Sequence, residues 1–197
     1  MGNFPATCYP LKHHGSCIVR SATPDDALAV LDCAREVFAT SMHTLTQGDE
    51  FTLTPDQERD FIVARLAAPN EAFLIAGPGE KAGENAGEEV GAGVWGMLGL
   101  LHPKPRRKVR HTVELGMGIR STYRGIGLGS ALMDAAIAFA RSRPDLEIIT
   151  LAVYQDNAAG RALYSKFGFI QYGFLPNGCK HDDHSRWDQI EMYKPLS

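Results

Sequence analysis

Residues 124–129 read Arg-Gly-Ile-Gly-Leu-Gly, and they stand between an apolar run, Val113 to Ile119, and an amphipathic stretch, Leu128 to Arg141. The placement says more than the glycines alone. A strand that ends in a glycine-rich turn and opens into a helix builds an anion site. The first N–H groups of a helix have no internal partners, and the macrodipole adds about half a positive charge there. Glycine takes positive φ and lets a diphosphate reach the backbone with no Cβ in the way. This stretch therefore predicts a nucleotide-like diphosphate as ligand.

Downstream, the helix stops near Pro144, and Ile148 to Val153 is a continuous apolar run, as in a buried strand. Asp156 and Asn157 can cap a short helix from Ala158 to Phe167, and two last strands, about Phe169–Leu175 and Trp187–Lys194, flank a polar loop. Upstream, Ser16 to Arg20 fits a first strand, and Thr23-Pro24-Asp25-Asp26 opens a helix with a hydroxyl N-cap, Pro at the first position and acids in the first turn. Thr54-Pro55-Asp56-Gln57 repeats the device with a capping box. The stretch Ser41 to Phe51 between these helices is a polar loop. Ala72–Ala76 and Val90–Leu101 read as strands, separated by a mobile Gly- and Glu-rich hairpin tip, Gly77 to Glu89. The order β-α-α-β-β-β-α-β-α-β-β predicts one α/β domain, residues 1–197, built on a mixed sheet.

Composition narrows the partners. The 197 residues are 44% hydrophobic with a formal net charge of −3, which favours neither nucleic acid nor an anionic membrane. No apolar run approaches the roughly 20 residues a membrane helix needs. The start, Met-Gly-Asn-Phe-Pro-Ala-Thr, lacks the basic and apolar regions of a signal peptide, and Ala6 stands where myristoylation expects Ser or Thr. Cys8, Cys17, Cys33 and Cys179 are scattered, as in a reduced cytoplasmic protein rather than a disulfide framework or zinc site. The expected address is cytoplasmic.

Two familiar diphosphate sites fit poorly. A dinucleotide fold needs G-x-G-x-x-G and an acid ending the next strand; here Ser130 follows Gly129, and Glu147 precedes its strand. No Gly-Lys-Ser/Thr of a P-loop occurs. The turn instead has the R/Q-x-x-G-x-G/A form, follows Glu114-Leu-Gly-Met-Gly-Ile119, and precedes by about thirty residues Asn157-Ala-Ala-Gly-Arg-Ala-Leu-Tyr164-Ser-Lys-Phe-Gly168-Phe169. Together these resemble the GNAT superfamily of acyl-CoA-dependent N-acyltransferases. The second segment is similar to that family's N-x-x-A-x-x-L-Y-x-K-x-G-F signature, with Gly160 where Ala is usual. Ile18-Val-Arg20 and Pro24-Asp25-Asp26 resemble the family's opening strand and helix. The resemblance is specific over the central part of the chain and vague before Ala72.

The resemblance implies a mixed, mostly antiparallel sheet with helices on both faces, in which the parallel strands Val113–Ile119 and Ile148–Val153 splay apart. It implies acetyl-CoA as co-substrate and no metal. Arg124, Gly125, Ile126, Gly127, Leu128, Gly129 and Ser130 would hold the coenzyme A pyrophosphate. Met117, Gly118 and Ile119 would offer backbone to the pantetheine, which lies along the strand like an added strand. Gly116 and Gly118 fit such an approach. Asn157 would support the pantetheine, though a plain helix N-cap explains it nearly as well.

Acyl transfer to an amine needs the neutral amine, and a lysine-like amine with pKa near 10.4 is deprotonated at roughly one part in a thousand at pH 7. Glu114 is the candidate base. Alternation puts it on one face with Gly116 and Gly118, and many family members carry an acid at about this place, often acting through water. The other reading pairs it with Arg110 or Arg120 as an exposed strand carboxylate. Tyr164 matches the family tyrosine that protonates the departing thiolate, and a backbone N–H of Met117–Ile119 could serve the oxyanion. No cysteine lies in a motif for a covalent acyl-enzyme, so direct attack is expected.

His181-Asp-Asp-His184 is expected to be a hydrated loop rather than a metal site, and Lys104 to Arg110 a solvated loop, with attraction of an acidic substrate or peptide as the lesser reading. Trp187, Asp188 and Met192 are expected to flank the acceptor cleft, as is the loop Ser41 to Phe51. The leading expectation is acetylation of a small primary amine or amino acid. Acetylation of a protein N-terminus or lysine, and a non-catalytic acyl-CoA-binding module, are the alternatives. A peptide acceptor predicts an open groove between the Ser41–Phe51 loop and the final hairpin, a small one a closed pocket. The acceptor, the acyl chain length and the oligomeric state, a homodimer included, are left open.

Overall fold

The computed structural model describes residues 3–78, 93–103 and 106–197. Its strands are β1 (Thr7–Pro10), β2 (Ser16–Ser21), β3 (Ala72–Pro78), β4 (Gly96–Leu101), β5 (Thr112–Ile119), β6 (Ile148–Tyr154), β7 (Ile170–Lys180) and β8 (Arg186–Pro195). They form one sheet in the order β1-β2-β3-β4-β5-β6-β8-β7. Every neighbouring pair is antiparallel except β5 and β6. The helices are α1 (Ala27–Thr40), α2 (Pro55–Ala67), α3 (Leu128–Arg141) and α4 (Ala158–Lys166). The mixed, mostly antiparallel sheet with helices on both faces is what the sequence predicts.

Strand alternation explains why both faces need cover. Val19, Leu74, Leu98, Leu100, Val113 and Leu115 point to one side and pack on Leu128, Leu132, Met133 and Phe139 of α3. Ile75 and Val94 point to the other and meet Val30, Cys33 and Val37 of α1 and Ile62 of α2. Each fully buried leucine contributes about 1.5–3 kcal/mol. The α2 start is the expected capping box: Gln57 N–H donates to Thr54 Oγ1 at 3.3 Å and Thr54 N–H to Gln57 Oε1 at 2.9 Å. No helix among the described residues is long and apolar enough to cross a membrane.

Several boundaries differ from expectation, among them the start of β4, at Gly96 rather than Val90. The strand β1 is new, a four-residue edge strand ending in Pro10, too short to show periodicity. The Thr23 cap opens a 3-10 turn, Pro24–Asp26, before α1 begins at Ala27. Strand β7 runs on to Lys180 rather than stopping at Leu175, because Pro176, Asn177 (φ 55°) and Gly178 make irregularities within the pairing instead of ending it. Most of the expected hairpin tip, residues 79–89, and Lys104 and Pro105 of the basic loop lie outside the described residues.

Candidate active site

The parallel pairing of β5 with β6 spans only Thr112↔Ile148, Val113↔Ile149 and Glu114↔Thr150. Beyond Glu114 the two strands diverge, although β5 continues to Ile119 and β6 to Tyr154. A cleft of about 680 Å³ opens there. Of the residues expected to hold the cofactor, Met117, Gly118, Ile119, Arg124, Gly125, Gly127, Gly129, Ser130 and Asn157 line it, and so does Tyr164. Ile126 and Leu128 do not; Leu128 is buried against the core, so only its backbone faces the turn.

The turn has the predicted geometry. Gly125 (φ 77°) and Gly127 (φ 101°) are left-handed, and a Cβ on either would meet no atom within 4 Å. These glycines serve backbone conformation and leave an empty cradle at the N-terminus of α3, whose Ala131 N–H donates to Gly127 O at 3.1 Å. Arg124 Nε donates to Ile119 O at 3.1 Å, bracing the strand end. Arg120 donates to Val94 O at 2.8 Å and to Glu36 Oε2 at 2.6 Å, while Ser121 N–H donates to Glu36 Oε1 at 3.2 Å, so α1 holds the approach to the turn. Gly118 has a reason besides any ligand: a Cβ there would stand 3.1 Å from Val37 of α1.

Asn157 caps α4, its Oδ1 accepting from Gly160 N–H at 2.9 Å. That cap explains glycine at 160, since a Cβ would lie 2.9–3.0 Å from the Asn157 amide group. Tyr164 is 9% exposed, packs on Phe169, and has no hydrogen-bond partner for its hydroxyl among the described residues. Burial pushes its phenol up to about 12. It is thus a proton carrier at neutral pH, on the cleft wall.

Glu114 stands at the last paired position, where the strands begin to part, exposed and outside the residues lining the cleft. The expected alternative partner, Arg120, is taken by Glu36 and Asp32, and no ion pair joins Glu114 to Arg110 among the described residues. The Glu114 charge acts on Tyr172, whose phenol is raised by burial first, then by Glu191, which it hydrogen-bonds, and by Glu114.

A wall beside the cleft holds His43, which lines it, with Tyr154, Trp187 and His181; the sequence does not single out His43 or Tyr154. His43 contacts the rings of Tyr154 and Trp187 at 5.9 and 5.7 Å, and its Nε2 lies 3.4 Å from Asp156 Oδ1. Tyr154 OH donates to Thr44 O at 3.3 Å. His181, in a loop as expected, lies against Trp187 with ring centroids 4.6 Å apart and planes tilted by 49°. These contacts tie the loop after α1 to the β7–β8 hairpin. Of the three residues expected to flank the acceptor, only Trp187 joins this wall; Met192 is buried in the core and Asp188 accepts from Asn177 N–H. Aromatic and histidine residues far apart in sequence carry no local signal of such a cluster. No group of three or more His, Cys, Asp or Glu among the described residues could hold a metal ion.

A splayed parallel pair beside a glycine turn at a helix N-terminus defines an acyl-CoA-type transferase fold. Residues 39–169 match the model of the acetyltransferase (GNAT) family, and the chain belongs to that family. An L-methionine sulfoximine/L-methionine sulfone acetyltransferase of Pseudomonas paraeruginosa is 34% identical over 95 residues, covering 48% of this chain and 52% of the relative. The chain therefore spans about half the length of the curated relatives it matches. A GNAT-family acetyltransferase from Streptococcus pneumoniae superposes with a TM-score of 0.81 at 26% identity, covering 92% of this chain and 99% of that one. A phosphinothricin acetyltransferase from Sinorhizobium meliloti, solved with acetyl-CoA, shares the fold at a TM-score of 0.76 and 16% identity, over 92% of this chain and 89% of that one.

Proposed function

We propose that this chain, as one domain, transfers an acetyl group from acetyl-CoA to the primary amine of a small molecule, an amino acid or its analogue being the leading acceptor. The left-handed glycines of the turn, where a Cβ would meet no atom within 4 Å, and the cleft they open on support the donor. In this reading the turn Arg124–Gly129 and Ser130 hold the pyrophosphate through backbone N–H groups, and Met117–Ile119 and Asn157 receive the pantetheine. The contact that carries the small acceptor is the one His43 makes with Tyr154 and Trp187, reinforced by Tyr154 OH on Thr44 O. It joins the two segments a peptide would have to pass between. The curated relatives named for methionine sulfoximine and sulfone point the same way.

In the chemistry, Glu114 accepts the proton of the acceptor ammonium, directly or through water. The amine nitrogen attacks the thioester carbonyl carbon, a backbone N–H of Met117–Ile119 stabilises the oxyanion, the C–S bond breaks as Tyr164 protonates the sulfur, and the nitrogen's extra proton returns to the tyrosinate through water. The Tyr164 phenol, raised to about 12, keeps its proton until the thiolate leaves. No cysteine lines the cleft among the described residues, and Cys17 and Cys33 are buried with thiols pushed up to about 11, which supports direct transfer. Four free thiols also fit a reducing, cytoplasmic setting. Thiol release from acetyl-CoA over a panel of amines, amino acids and peptides tests the proposal. Release with small amines is expected; release only with peptides, or with none despite coenzyme A binding, overturns it.

A further inference from the structure

The coenzyme A reading has an extension in a part of the chain that precedes the matched family region, residues 39–169. The β1–β2 hairpin closes through Leu11 N–H on Gly15 O at 2.9 Å, and Lys12 N–H donates to Ile126 O at 2.8 Å. That second bond ties the hairpin to the middle of the glycine turn. Lys12 lines the same cleft as Gly125, Gly127 and Ser130. On the other flank, Lys166 Nζ donates to Ser130 Oγ at 3.3 Å. Among the described residues the only acidic one lining the cleft, Asp156, lies against His43.

Coenzyme A carries two separate phosphate groups, a diphosphate and a ribose 3′-phosphate monoester. The backbone N–H groups of the turn and of the first turn of α3 suit the diphosphate. The monoester, with a charge of about −1.5 to −2 at pH 7, needs its own cation. A lysine is a mobile point charge that binds phosphate without a rigid fork. Arg124 is committed through its Nε to Ile119 O, and Lys166 to Ser130, whereas the Lys12 ammonium makes no hydrogen bond or ion pair among the described residues. We propose that Lys12, delivered by the N-terminal hairpin, binds the 3′-phosphate of the donor, so that the protein selects 3′-phosphorylated coenzyme A over its dephospho form.

Calorimetric titration of coenzyme A and dephospho-coenzyme A into the wild-type chain, Lys12→Ala and Lys12→Arg at one fixed salt concentration tests this, with melting curves confirming that each is folded. Wild type is expected to bind coenzyme A about fivefold more tightly than dephospho-coenzyme A, the scale of one charge-assisted contact at an exposed site. Lys12→Ala should weaken only coenzyme A, down to the dephospho value, and Lys12→Arg should restore the preference. Lys166→Ala should weaken both ligands alike. If Lys12→Ala weakens both ligands equally, or leaves the preference intact, the assignment is wrong. Equal binding of both ligands by wild type overturns this inference alone, whereas binding of neither overturns the coenzyme A reading with it.

Discussion

Replacing Gly127 by Ala isolates one physical requirement of the turn. Gly127 has φ 101°, and an added Cβ would meet nothing within 4 Å. The substitution therefore introduces no clash, and its cost is that of holding a residue with a side chain in a left-handed conformation, about 1–2 kcal/mol. For a chain of this length that lowers the melting temperature by about 2–8 °C. Gly116→Ala is the matched control, since its Cβ also meets nothing within 4 Å and its φ is not positive; its stability should stay within about 0.5 kcal/mol of wild type. If the alanine turn relaxes to relieve the strain, the N–H groups at the start of α3 no longer converge, and acetyl-CoA affinity should drop about tenfold. Thermal melts and acetyl-CoA titrations of both variants read the two effects. A Gly127→Ala protein as stable and as tight-binding as Gly116→Ala would refute the claim that the turn depends on left-handed glycine.

Tyr164→Phe should lower kcat by about a hundredfold with little change in acetyl-CoA affinity, because the hydroxyl has no hydrogen-bond partner among the described residues; unchanged turnover removes its role as proton donor. Glu114→Gln should slow turnover at neutral pH by about a hundredfold, and the loss should shrink as pH approaches the ordinary amine pKa of about 10.4 and more acceptor is already neutral; a wild-type rate at neutral pH assigns the proton to water alone. Burial raises the Tyr164 phenol to about 12 from an unfolded value of 10.0. The unfolded chain loses this proton first, so the stabilisation is whole below pH 10 and is lost as pH rises toward 12. Tyr9 and Tyr172 are raised as well, so Tyr164→Phe should flatten the alkaline fall in melting temperature without abolishing it; an unaltered fall shows that Tyr164 is not buried as described.

The splayed strand and the glycine turn are legible in the sequence because they are made by contiguous residues. A strand, a glycine turn and a helix start lie within Thr112–Arg141, and backbone geometry fixes how they meet. The strands Ile148–Val153 and Val113–Ile119 were placed for the same reason, one by its apolar run and the other by its position before the turn. The cluster beside the cleft is legible only in part: Trp187 and the loop Ser41–Phe51 are expected near it, whereas His43 and Tyr154 carry no signal of their own. His43, Tyr154, His181 and Trp187 come from four segments whose meeting depends on sheet order, with β8 inserted between β6 and β7. His181 lies in the loop between β7 and β8, as expected, but its contact with Trp187 has no signal in the sequence. Lys12 was hidden because β1 is too short for a periodic signal, and its relation to Ile126 is a single long-range backbone bond. Gly118 and Gly160 carried a second meaning, packing against Val37 and against the Asn157 cap, that only the folded chain reveals.

Amide hydrogen exchange with and without acetyl-CoA tests the central claim most directly, since it reads the donor site without knowledge of the acceptor. The account predicts new protection concentrated at Met117–Ile119 and at Gly125–Ser130. Saturable binding that leaves both segments unprotected, or that protects another part of the chain instead, would contradict it.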